Sequence, residues 1–148
     1  MIGLQADINL VAGWVRDIRV ANGYTTDIGA DVVTERKGGS EDDNSLLCGV
    51  FLADLTPTNA TPQRRDWQPD IVIEARIPVR SATAEATLIA VIEDLVKAIP
   101  TKTTDAANNI ATLEISAIGI SRQPDGVPYI VVSVTLRATV YEFISQPA

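Results

Sequence analysis

The cleanest alternation of apolar and polar positions lies between Ile71 and Pro100. In IVIEARIPV, Ile71, Ile73, Ala75, Ile77 and Val79 alternate with Val72, Glu74, Arg76, Pro78 and Arg80. Successive strand side chains point to opposite faces, so this run predicts a strand with one apolar face and one mostly wet face. From Ser81 the period changes. Leu88, Ile92, Leu95 and Ile99, with Ala84, Val91 and Val96 beside them, form a stripe along one side of a helix. Ser81 is the expected N-cap, Glu85 sits near the positive end of the dipole, and Pro100 stops the helix. A one-faced strand followed by a one-faced helix predicts a helix packed on a sheet.

The remaining periods extend that unit in both directions. Leu4 to Ala21 keeps helical spacing through Leu4, Ile8, Val11, Val15 and Ile18, with Trp14 near the stripe. Asp7, Arg16, Asp17 and Arg19 supply its polar side, and Asn22-Gly23 suits a left-handed C-cap. Asp31 to Arg36 is a short strand candidate. LLCGVFLADL is apolar at both parities, which predicts a central strand covered on both faces, with Gly49 weakening it locally or marking a close approach. Leu113, Ile115 and Ala117 alternate, then the apolar parity switches around Gly119, the signature of a β-bulge. Gln123-Pro124-Asp125-Gly126 is a turn, and Ile130 to Val140 alternates without a break, so Leu113 to Ile144 reads as an antiparallel hairpin.

Three polar stretches separate these elements. KGGSEDDNS, residues 37–45, reads as a solvated loop; it lacks the alternate ligands, glycine and closing glutamate of an EF-hand. TPTNATPQRRDWQP, residues 56–69, holds three prolines and neither period, and reads as a long loop. TKTTDAANN, residues 101–109, is a polar connection. The whole chain, 1–148, is thus expected to be one α+β domain in the order α-β-β-β-α-β-β. A mostly antiparallel sheet of about five strands carries both helices on one face. Its other face, with Glu74, Arg76, Ser133, Thr135, Arg137 and Thr139, is left to water or to a neighbouring subunit.

Composition narrows the chemistry. The chain has no histidine, which excludes histidine bases, Ser-His-Asp and Cys-His nucleophiles and histidine metal sites within it. The lone Cys48 sits in an apolar run and reads as a small buried hydrophobe. No nucleotide-binding glycine fingerprint occurs, no apolar run is long enough to span a membrane, and no secretory signal opens the sequence. Glu93 and Asp94 are neighbours on a helix and diverge, so they make a poor acid–base pair. No catalytic residue, metal site or cofactor is expected, and the chain does not read as an enzyme.

Charge shifts attention to surfaces. Lys+Arg total 12 against 19 Asp+Glu, and the net charge is −7. Between Asp27 and Asp54 lie seven acids and two bases, so five of the excess charges sit there. Such a chain repels a phosphate backbone. Arg64, Arg65 and Trp67 could stack on nucleic acid, anchor a protein contact, or simply decorate a surface loop; the acidic remainder favours protein over nucleic acid. The candidate interface residues are therefore Glu41, Asp42 and Asp43 in the acidic loop and Arg64, Arg65 and Trp67 in the longer one.

The layout carries a resemblance. An N-terminal amphipathic helix, NGYTTDIGADV (Asn22 to Val32), a strand with IEARIPV leading into a helix, and a closing hairpin with GVPYIVVSVTLRATVYE (Gly126 to Glu142) resemble the tail terminator and tail completion proteins of tailed, lambda-type bacteriophages. The likeness covers nearly the whole chain in layout and transfers no individual site residue. It implies a virion subunit of the tail or neck, assembled in the bacterial cytoplasm as a homo-oligomeric ring, a hexamer. That ring would cap the tail tube protein, stop its polymerisation and meet the head–tail connector protein, while DNA passes through without specific binding and no membrane is involved. The alternative from the residues alone is a small-molecule-binding or regulatory α+β module, with ligand between sheet and loops.

Overall fold

The computed structural model describes residues 3–34, 47–79, 82–101, 103–105, 110–122 and 128–143. Helix α1 is Leu4–Arg16, strand β1 Val32–Val33, β2 Leu47–Ala60 and β3 Arg64–Pro78. Helix α2 is Ala84–Ala98, and strands β4 Thr103–Asp105, β5 Ile110–Arg122 and β6 Tyr129–Phe143 follow. The six strands form one sheet in the order β1-β2-β3-β6-β5-β4. Every pairing is antiparallel except that of β1 with β2. The expected α+β class and order hold, with β4 as a short addition in the connection after α2.

The core is built by the alternation that predicted it. Ile71, Ile73, Ala75 and Ile77 of β3 lie opposite Leu136, Val134, Val132 and Ile130 of β6, and all are buried. Directly paired residues share a face, so these two strands give one continuous apolar surface. Val11, Ala12 and Val15 of α1 and Leu88, Val91 and Leu95 of α2 cover it in a single cluster. Most of the fold's stability lies in this layer, since each fully buried Val, Leu or Ile contributes roughly 1.5–3 kcal/mol.

Several local expectations are corrected. Helix α1 ends at Arg16, and Val20–Asn22 form a separate 3-10 turn; Gly23, at φ 91°, caps that turn. Asp7 is fully buried on the core side, where the N-terminal dipole of α1 favours an acid. The N-cap of α2 is Thr83, whereas Ser81 lies outside the described residues. Strand β2 is not covered along its whole length: on the helix side Cys48 and Val50 are buried but Leu52 is 39% exposed, and on the other side Phe51 is half-buried. Among the described residues it pairs with β1 only at Cys48 and Gly49 along its outer edge. The expected close approach at Gly49 is to the Phe51 ring on the same face. Register shifts in β5 fall between Ile110 and Thr112 and between Ile115 and Ala117, both ahead of Gly119. The turn at Gln123–Gly126 lies outside the described residues.

The largest correction concerns residues 56–69. This stretch is not a loop. It continues β2 to Ala60 and begins β3 at Arg64, so a tight turn joins two strands in a long arm. Thr61 and Arg64 close it, with the Thr61 amide donating to the Arg64 carbonyl at 2.7 Å. The prolines sit where a strand tolerates them. Pro57 lies on the marginal strand β2, between two register shifts. Pro69 pairs with Leu55, and the ladder to β6 lapses beside it, resuming at Trp67↔Val140 and Asp70↔Arg137. A residue without an N–H leaves that gap.

Candidate assembly surfaces

The arm sorts the predicted residues by strand parity. Arg65 and Trp67 share the parity of Ile71 and Ile73 and point to the helix side of the sheet; Arg64 and Asp66 point to the other. The Arg65 guanidinium lies 6.0 Å from the Trp67 ring centre. Trp67 itself is half-buried against the core, and its Nε1 has no hydrogen-bond partner among the described residues. Arg64 pairs with Asp66, Nε to Oδ1 at 2.9 Å, and lies 5.6 Å from the Tyr141 ring centre. The three residues therefore do not form one patch. Glu41, Asp42 and Asp43 lie outside the described residues.

Behind the arm, the helix-free face of the sheet is polar and acid-rich. Asp54 of β2, Asp70 of β3, Arg137 of β6 and Glu114 of β5 stand in one row across four strands. Arg137 donates to Asp70 from Nε at 3.0 Å and from a terminal nitrogen at 3.3 Å. The hydrogen bond and charge of Asp70, with Asp54 beyond, push the Arg137 pKa up. One guanidinium thus stands in a row with three carboxylates and is bonded to Asp70. Asp66, Glu74, Arg64 and Arg76 occupy the same face, which brings it to five acids and three bases among the described residues. Arg76 is spent against the Tyr129 ring, 4.9 Å from its centre. This row escaped sequence reasoning because register, not spacing, assembles it.

On the helix side, Asp94 of α2 is buried and fixes the segment after the 3-10 turn. Its carboxylate accepts from the amides of Thr25 at 3.0 Å and Thr26 at 2.7 Å, and from the Thr26 hydroxyl at 2.7 Å. Lys97 adds a bond to the Gly23 carbonyl at 3.0 Å and lies 4.8 Å from the Tyr24 ring centre. Asp94 is thus a structural clasp between α2 and residues 25–26. Glu93, its neighbour, is exposed, so the two carboxylates do not converge.

No described helix is long and apolar enough to cross a membrane. No family model matches this sequence, and no curated protein matches it by sequence. Solved structures do match the fold. One, titled as the virion of a native gene transfer agent particle, superposes with a TM-score of 0.58 at 15% identity, covering 89% of this chain and 92% of the other. A second, whose title carries no functional description, gives a TM-score of 0.51 at 13% identity and covers 97% and 98%. Both pair the chains over nearly their full lengths, and at these identities the likeness is one of fold.

Proposed function

We propose that the chain is a structural subunit of a phage-like virion and acts as a tail terminator. In this reading it assembles into a ring, a hexamer, that caps the tail tube, ends its polymerisation and presents a surface to the head–tail connector. The observation that carries it is the near full-length match in fold to a component of a gene transfer agent virion. Two features of the molecule support it. The helix-free face, with five acids to three bases, suits a wall past which DNA must slide without being held. The β2–β3 arm projects strand backbone with the exposed Arg64 and Arg65 past Trp67, which packs at the edge of the core, and these can reach a neighbour. The chain acts by docking and catalyses no reaction.

Light scattering and negative-stain imaging of the purified chain, alone and mixed with tail tubes, test this. Rings, or caps on tube ends with shortened or uniform tubes, are expected. A chain that stays monomeric and leaves tube length unchanged would overturn the reading.

A further inference from the structure

One margin of the sheet is open along most of a strand. Strand β4 pairs with β5 only at Leu113 and Ile110, so among the described residues the outer edge of β5 from Glu114 to Arg122 has no strand partner. Every residue from Ser116 to Arg122 is exposed. Ile118 and Ile120 pair directly with the buried Val134 and Val132 and so belong to the core face, yet they are 41% and 48% exposed. A bare edge and an uncovered apolar face coincide there.

The flank of α2 continues this apolar strip. Both terminal nitrogens of Arg122, at the end of β5, donate to Glu85 at 2.8 Å, which turns the Glu85 side of α2 toward β5. At 100° per residue Ile89, Ile92 and Val96 fall within about 40° of Glu85. Ile92 is half-buried, and Ile89 and Val96 are 52% and 46% exposed. The same ion pair holds the nearest charge within its own chain.

Exposed sheet edges are ordinarily guarded against pairing by charge, proline or a bulge. Strand β2 is guarded in this way, by Asp54, Pro57 and two register shifts. Ala117-Ile118-Gly119-Ile120-Ser121 has neither charge nor proline, and its register with β6 is unbroken. The segment also reads alike from either end: small residue, isoleucine, glycine, isoleucine, small residue. Turned end for end about Gly119, it sets Ile118 against Ile120 and Ala117 against Ser121. A Cβ at Gly119 would meet nothing within 4 Å, so a second backbone has room beside it.

We propose that β5 pairs edge to edge with β5 of a second copy of this chain, antiparallel about Gly119, so that two sheets join into one. Each Ile118 then lies opposite the partner's Ile120, and the isoleucines of both copies fill the strip bordered by Ile89 and Val96. Directly opposed apolar side chains are what stabilises a strand pair. A segment that matches its own reverse suits an isologous two-fold contact, in which the same patch serves both copies. Ring closure takes unlike patches instead, so this contact goes beyond the ring reading and does not depend on it.

The test uses the full chain. Sedimentation equilibrium should show pairs as the smallest assembled species, and Ile118→Asp should dissociate them while its circular dichroism stays that of the wild type. Under mild oxidation Gly119→Cys should link to itself, since its two α-carbons would lie about 5 Å apart, within disulfide reach. Ala117→Cys, at roughly 13 Å from its own counterpart, should not, but it should link to Ser121→Cys in a mixture. The buried Cys48 makes the wild type a silent control. Gly119→Cys that stays unlinked overturns the pairing, as does Ala117→Cys linking to itself just as readily. Linking of Gly119→Cys to a tube subunit alone assigns the edge to another chain and overturns it too. Ile118→Asp that loses the pair yet still caps tubes supports the pairing and leaves the ring standing. A wild type that pairs but never caps tubes supports the pairing and overturns the ring reading alone.

Discussion

Strands β3 and β6 pass through two environments, and the contrast between them is instructive. Over Ile71–Ile77 and Ile130–Leu136 one face of the pair is sealed under helices and every paired residue on that face is apolar and buried. Over Arg64–Asp66 and Tyr141–Glu142 the same strands keep the same register, but the side chains are charged or aromatic and none is buried. Backbone pairing continues because a ladder needs only N–H and C=O groups in sequence, with an apolar face required at one end of it. Stability should therefore be concentrated in the covered half, while the arm is cheap to alter and free to serve contacts.

The largest expected effect is in the covered half. Leu136→Ala removes a fully buried side chain between β3 and β5 and should cost about 2–5 kcal/mol, depending on how far the cavity collapses. A urea midpoint shift with an unchanged slope measures it. A cost below that of an arm substitution would break the contrast. Second comes Asp94→Ala, which strands the amides of Thr25 and Thr26 after removing their common acceptor. A loss of about 1–3 kcal/mol is expected, with amide exchange at both residues accelerating selectively.

In the arm the effects should shrink. Trp67→Ala deletes a half-buried ring and should cost roughly 1–2 kcal/mol, less than the 3–5 typical of a fully buried aromatic. Arg64→Ala should change stability by no more than about 0.5 kcal/mol, because its ion pair with Asp66 is surface-exposed on the arginine side. If the arm docks on a neighbour, Arg64→Ala should nevertheless reduce ring yield in light scattering. A matched loss of stability and assembly would mean the arm is only structural.

The same contrast explains what the residues disclosed. Wherever one face is buried, the period is written in the sequence, which is why the Ile71–Ile77 strand, α2 and the closing hairpin were legible, as was the α+β class. The arm was not. Thr56–Pro69 has prolines and no alternation because neither face there needs to be uniformly apolar, and pairing by backbone leaves no trace in side-chain order. LLCGVFLADL misled in the other direction: its second apolar face holds Phe51 over Gly49, while its first runs past the helices at Leu52. The acidic row needed register, which appears only once distant segments meet. Arg64, Arg65 and Trp67 were singled out by type, yet their parity divides them between two faces.

The last effect is confined to alkaline pH and falls at Cys48, where it sharpens the contrast from the covered side. Burial against the core pushes its thiol pKa from 9.0 up to about 12, with a backbone hydrogen bond at Gly49 opposing. A raised folded pKa means the neutral thiol is favoured in the folded state. The associated stability is present in full below the unfolded value of 9.0 and lost as pH rises from there toward about 12. Between those limits the slope is at most about 1.4 kcal/mol per pH unit for one proton. Cys48→Ala should therefore remove part of the alkaline decline relative to wild type, after allowance for the methyl-sized cavity at neutral pH. In the folded chain at pH 8 the thiol should resist a disulfide reagent and react at once in denaturant. Fast labelling without unfolding would show that β2 opens at its margin, and would move Cys48 from the covered half of the molecule to the mobile one.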